Sequence, residues 1–193
     1  MKSPRLKVSA GAVCLGCLWL ALSPVRLFLS FLCSVLLHEL GHWLVLKACG
    51  FPLQRLRIPA LGCMMETPPL PYRIEGICAL AGPAVNLLLF ALSLHRDAGF
   101  SLVNLALAVF NLLPLWPLDG GRFLRAVLQE LLAPVPACAI EFVISRGVLG
   151  LLWLCAIYGT CVLHMGLGPA LLAAVLTGKA AGENLVAKKQ VCG

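Results

Sequence analysis

The sequence predicts an all-α polytopic membrane protein of about six transmembrane helices with a short re-entrant β-hairpin-like loop. Three observations carry this reading. Hydrophobic residues make up 61% of the chain and charged residues 12%, far from the roughly 45–50% apolar and 25% charged balance of a soluble domain. The apolar residues gather into runs of near-membrane length, about 17–25 residues where complete. Residues 50–66 break that pattern, with partial apolar and polar alternation flanked by Gly and Pro, which favours short strands and a turn over a helix.

In order, the runs are residues 8–24, 27–46, 74–94, 100–115, 144–163 and 166–177, the fourth and sixth being short. The first follows Lys2, Arg5 and Lys7, so a signal peptide is its competing reading, with Ala21-Leu22-Ser23 a loose match to a cleavage site. The second contains His38-Glu39-Leu40-Gly41-His42. Irregular backbone at membrane depth must be satisfied by protein or a wet cavity, which makes residues 50–66 a candidate lining for an active site. The third run contains Ala81-Gly82-Pro83-Ala84-Val85-Asn86. Its Pro is expected to interrupt helical hydrogen bonding, and its Gly to permit close approach of a neighbour. Asn86 is read either as an interhelical hydrogen bond or as a group near a catalytic centre.

Six spans sort the loops by side. The N-terminus, residues 47–73, residues 122–146 and the C-terminal tail then hold 13 of the 15 Lys and Arg, leaving Arg26 and Arg96 on the other side. By the positive-inside rule both termini are cytoplasmic. The formal charge of +7 reports this topology and contact with anionic membrane lipids. Nucleic-acid binding is a poor reading, as the sequence has no basic-aromatic surface or DNA-binding motif, and no nucleic-acid partner is expected. Most of the ten cysteines fall in apolar runs, where Cys packs as a small hydrophobe, so no disulfide framework is expected. Cys14 and Cys17 have CxxC spacing without a second pair, and packing is the reading adopted.

Chemistry enters with the second run. Positions i and i+4 share a helix face, so His38 and His42 can reach one metal ion, with Glu39 beside the first ligand as a proton acceptor. Ionisable groups in an apolar run are functional by default. Catalytic zinc takes three protein ligands and a water. Two acidic residues are candidates for the third: Asp119, where two prolines and paired glycines open the chain at the end of the fourth run, and Glu141, which precedes the fifth run and lacks such context. Asp119 matches the histidines in expected depth. His95 and His164 fall at the outer ends of runs and are read as interfacial.

These residues resemble the site-2 protease family of intramembrane zinc metalloproteases, within it the branch of stage IV sporulation protein FB. The resemblance rests on His38-Glu39-Leu40-Gly41-His42, Gly82-Pro83-Ala84-Val85-Asn86 and residues 111–120, in family order. It implies that His38, His42 and Asp119 bind Zn2+, that Glu39 is the general base, and that Asn111 binds substrate or the developing oxyanion. It also implies that residues 51–66 form membrane-reentrant strands offering an edge to an unwound substrate helix. The chain then reads as a single integral membrane metalloprotease domain over residues 1–193. Its core is about 6–130, and 144–178 hold the last two spans. Neither a CBS domain nor a PDZ insertion is visible.

The implied activity is hydrolysis of peptide bonds in membrane-embedded or membrane-tethered proteins, in a multi-pass protein of a bacterial cell membrane. Activation of a sporulation or stress transcription factor precursor is one role of that kind, with regulatory membrane partners. The alternative is an inactive zinc-binding scaffold that captures partner helices, against which Glu39 argues. A metal transporter needs polar residues leading to both faces, and the outward halves of these runs nearly lack them.

Overall fold

The computed structural model describes residues 5–8, 20, 24–58, 64–164 and 166–191. It divides into two compact units, residues 1–111 and 112–193.

Among its described residues the first unit has three strands and three long helices. Strands β1 (Arg5–Val8), β2 (Arg55–Ile58) and β3 (Met64–Glu66) form one sheet in that order. β1 runs parallel to β2, with Arg5 opposite Arg55. β2 runs antiparallel to β3, with Arg55 opposite Glu66. The alternating loop is thus a strand pair. Its expected turn lies outside the described residues, as do most of the first apolar run, Cys14 and Cys17. Val8 ends β1 instead of opening a helix, a correction with a simple cause: a four-residue parallel strand acquires its partner far along the chain.

Helices α1 (Val25–Ala48), α2 (Tyr72–Ser93) and α3 (Ala98–Asn111) pack on one another. α1 is inside-out by the standards of a soluble helix. Ser34, His38, Gly41 and His42 are buried, while Leu29, Leu32, Leu36, Leu40 and Leu44 face outward. That polarity suits a hydrocarbon surround, in which apolar side chains lose nothing by facing out and polar ones seek a neighbouring helix. Small residues allow the close crossing. A Cβ on Gly41 would stand 2.8 Å from Val85 Cγ2 and 2.9 Å from the Ala81 carbonyl oxygen. Pro83 lies inside α2 and removes one N–H from its hydrogen-bond ladder, while the helix continues through it to Ser93. At the α2–α3 corner Asp97 accepts the Phe100 N–H (3.1 Å) and pairs with Arg26 of α1 (3.0 Å). Those contacts, the Phe100 N–H first, hold the Asp97 carboxyl below its usual range.

The second unit holds α4 (Asp119–Leu131), α5 (Pro134–Cys161) and α6 (Gly168–Val191). α4 is amphipathic and only 13 residues long, so a search for membrane-length apolar runs passes over it. α5 begins ten residues before the expected fifth run because Pro134 and Pro136 sit in its first turn, where a missing N–H leaves no bond unmade. Glu141 therefore lies within this helix and not ahead of it. α5 and α6 are tied by Trp153 Nε1 donating to Thr177 Oγ1 at 3.0 Å.

Three of these helices, Val25–Ala48, Tyr72–Ser93 and Pro134–Cys161, are long and apolar enough to cross a membrane. Ala98–Asn111 and Gly168–Gly178 are shorter apolar helices. Among the described cysteines Cys33, Cys49, Cys78, Cys138, Cys155 and Cys161 are free thiols.

Candidate metal centre

In the first unit, α1 presents His38 and His42 one turn apart, 6% and 5% exposed. Each ring is oriented by α2. His38 Nδ1 donates to Asn86 Oδ1 at 2.5 Å, and His42 Nδ1 donates to the Cys78 carbonyl at 2.6 Å. A donor at Nδ1 fixes the neutral tautomer and leaves the Nε2 lone pair for a ligand. The two Nε2 atoms face each other 3.1 Å apart. Two lone pairs at that separation repel unless a cation lies against both, so the pair fits a metal ion.

Asn86 is itself fixed. It is fully buried, and its amide nitrogen donates to Asn104 Oδ1 of α3 (2.8 Å) and to the Ser34 carbonyl (3.4 Å), while Asn104 donates to the Phe100 carbonyl (2.9 Å). The interhelical hydrogen bond expected of Asn86 is present, and one such bond orients the His38 ring. Asn104, which the sequence reading passed over, completes the chain of amides. Its only signal was an Asn in an apolar helix. Gly82 makes room for the rings, since a Cβ there would fall on the Nε2 atoms of both His38 and His42.

Glu39 follows His38 on α1, about 100° around the helix, and is half-buried. Asn111 ends α3 with its amide donating to the Leu107 carbonyl at 3.0 Å.

In the second unit, Asp119 is the first residue of α4 and is 7% exposed. A carboxylate suits the positive end of a helix dipole, and Arg122 Nη1 lies 3.5 Å from its Oδ1. The preceding turn contains a cis Trp116–Pro117 peptide bond and the fully buried Leu115. It packs so closely on α4 that a Cβ on Gly120 would fall on the Leu112 and Leu113 backbone, and one on Gly121 on Leu115 and Trp116. The paired glycines thus serve close contact. Within this unit Asp119 is a buried carboxylate able to offer one ligand atom to a metal ion. Glu141, the other carboxylate considered, instead accepts from Ser145 Oγ at 2.9 Å.

Comparison with known proteins points to zinc metalloproteases. Residues 98–154 match peptidase family M50. A solved structure of the site-2 protease from Methanocaldococcus jannaschii superposes with a TM-score of 0.68 at 25% identity, covering 92% of this chain and 89% of that one. The chain is thus similar to site-2 proteases in fold and, over residues 98–154, in sequence. Among curated relatives of this family, zinc metalloprotease MJ0392 of the same archaeon is 35% identical over 117 residues, 54% of this chain and 34% of the relative. Stage IV sporulation protein FB of Bacillus subtilis is 30% identical over 123 residues, 57% of this chain and 43% of the relative. The chain spans between about a third and under a half of the length of these two relatives. With its apolar helices, the family match makes it an integral membrane protein.

Proposed function

We propose that this chain is the catalytic domain of an intramembrane zinc metalloprotease, residues 1–193 acting as one domain. The observation that carries the reading is the pair of buried imidazoles whose Nδ1 atoms are both committed to α2 and whose Nε2 lone pairs converge. His38, His42 and Asp119 would hold zinc, a donor set of two imidazoles and one carboxylate that leaves a position for water. Zinc supplies Lewis acidity there, lowering the pKa of a water toward about 7.

The remaining steps belong to the chain's own side chains. The Glu39 carboxylate takes the proton of the attacking water as the water oxygen bonds to the scissile carbonyl carbon. It then returns that proton to the leaving amide nitrogen as the C–N bond breaks. Asn111 keeps one amide hydrogen on Leu107 and has a second for the carbonyl oxygen that gains charge. One such donor is worth about 3 kcal/mol in the transition state.

Substrates are membrane-embedded or membrane-tethered proteins, unwound locally because helical carbonyls are otherwise occupied. β2 and β3 would act as the re-entrant edge for the unwound segment. Activation of a sporulation or stress transcription factor precursor, the role nearest the Bacillus relative's name, fits this chemistry. Six spans in a bacterial cell membrane with both termini cytoplasmic complete the proposal, supported by the 13 of 15 basic residues that this arrangement puts inside. A reporter fused after Lys189 is expected to read inside; an outside reading overturns that topology.

The deciding comparison is of membrane-protein fragments in cells expressing the intact chain and Glu39→Gln. The substitution preserves volume and removes the proton acceptor. Fragments are expected only with the intact chain, while purified Glu39→Gln retains about one zinc per chain. Equal cleavage by both chains removes the protease mechanism, and zinc without fragments in either favours the scaffold.

A further inference from the structure

We infer that Ser145, held by Glu141, is a positioning residue for Asp119 through the turn that carries it. The inference rests on the metal reading above but is drawn within residues 112–193 alone.

Prolines 114 and 117 have no N–H, so the turn ahead of Asp119 has few backbone donors with which to hold its shape. Leu115 N–H reaches the Leu113 carbonyl at 2.7 Å, and Leu118 N–H reaches the Leu115 carbonyl at 2.8 Å. The Trp116 N–H leaves the turn and donates to Ser145 Oγ on α5 at 3.2 Å. A hydroxyl has one proton to give. Ser145 is 2.9 Å from Glu141 Oε1 and 3.5 Å from the Pro114 carbonyl, so its proton goes to Glu141, one helical turn earlier. The sequence Glu141, Ser145, Trp116 is therefore a directed chain of hydrogen bonds from α5 to a residue three positions before Asp119.

Two further observations give this chain a purpose. A carboxylate in a 28-residue apolar helix is expensive and needs a reason, and the proposed reaction does not use Glu141. Ser145 is buried, 8% exposed. The α4 side of the turn is already fixed by the Gly120 and Gly121 contacts and by Arg125, whose guanidinium stacks 4.7 Å over the Trp116 ring. Ser145 fixes the α5 side. With both sides held, the first residue of α4 can present its carboxylate in one place.

Residues that orient metal ligands typically cost 10–100-fold in metal affinity when removed. Ser145→Ala in the full chain in detergent is expected to weaken zinc by about that factor and to shift the visible absorption bands of the cobalt-substituted protein, which report ligand geometry. Ser145→Thr, which restores the hydroxyl, should return both toward the parent values. Glu141→Leu, apolar and so compatible with its helix, should weaken zinc in the same direction. In metal-free protein, amide exchange at Trp116 should rise about tenfold or more in Ser145→Ala. His38→Ala is the control for the metal reading. If His38→Ala loses zinc while Ser145→Ala keeps parental affinity and cobalt bands, the positioning role is overturned and the metal site stands. Zinc retained by His38→Ala overturns the metal site itself, and with it a role for Ser145 toward that site.

Discussion

Asn86→Leu separates a side chain that orients a ligand from one that merely packs. Leucine fills a similar volume at a fully buried position, so the change removes three hydrogen bonds and little else: those to His38 Nδ1 (2.5 Å), Asn104 Oδ1 (2.8 Å) and the Ser34 carbonyl (3.4 Å). Interhelical bonds in membrane proteins average ~0.6 and reach ~1.7 kcal/mol each, which puts the stability loss at about 2–5 kcal/mol. The stranded His38 N–H and Asn104 carbonyl push it toward the upper end. Without its acceptor, His38 is also free to carry its proton on Nε2, where a metal must bind. Zinc affinity should therefore fall by about 10–100-fold. At zinc about 1,000-fold above the parent dissociation constant, binding adds about 4.1 kcal/mol of stability, and a site 100-fold weaker keeps only about 1.4. Thermal unfolding with and without zinc reads this gap, alongside chelator competition. Asn86→Asp is the companion: it still accepts from His38 but cannot donate to Asn104, so it should lose stability while keeping most of its zinc affinity. Zinc affinity within threefold of the parent in Asn86→Leu, or equal losses in the two variants, refutes the orienting role.

Gly82→Ala adds one carbon where both Nε2 atoms lie; zinc content after purification should fall severely with the helices still formed by circular dichroism, and full zinc content would mean that the rings are placed otherwise. Asp97→Asn addresses acid stability. The folded Asp97 carboxyl is depressed by the Phe100 N–H and Arg26, so its contribution is present above about pH 4 and lost as pH falls through the folded value. The parent should be the more stable protein at neutral pH, with the difference vanishing in acid as the folded Asp97 carboxyl is protonated, read in urea or thermal scans.

The helices were legible in the sequence to the extent that hydrocarbon thickness dictates their length. α1 and α2 have no competing signal, and their expected bounds fall within two residues of the observed ones. α4 was missed because its signal is a 3.6-residue periodicity over only 13 residues, carried by Arg and Gln as much as by Leu. The early start of α5 was missed because Pro134 and Pro136 read as breakers, whereas in a first turn they break nothing. β1 was missed because a strand beside a remote partner has no local signature.

The candidate ligands were legible for a different reason. A histidine or carboxylate in an apolar run has a high energetic cost, and the pair at i and i+4 has a geometric meaning before any fold is known. The residues that hold those ligands in place carry weaker signals. Asn104, Ser145 and the Cys78 carbonyl are a neutral amide, a hydroxyl and a backbone atom, each tolerated in a membrane helix at small cost and each meaningful only through its partner. Asn104 acts on Asn86, and Asn86 on His38; Glu141 acts on Ser145, and Ser145 on Trp116. The two sequences of bonds arise in different units, yet each anchors a candidate ligand by spending a polar side chain that hydrocarbon would otherwise disfavour. A site of this kind is thus announced by its charged groups and secured by its neutral ones, and only the coordinates reveal the second set.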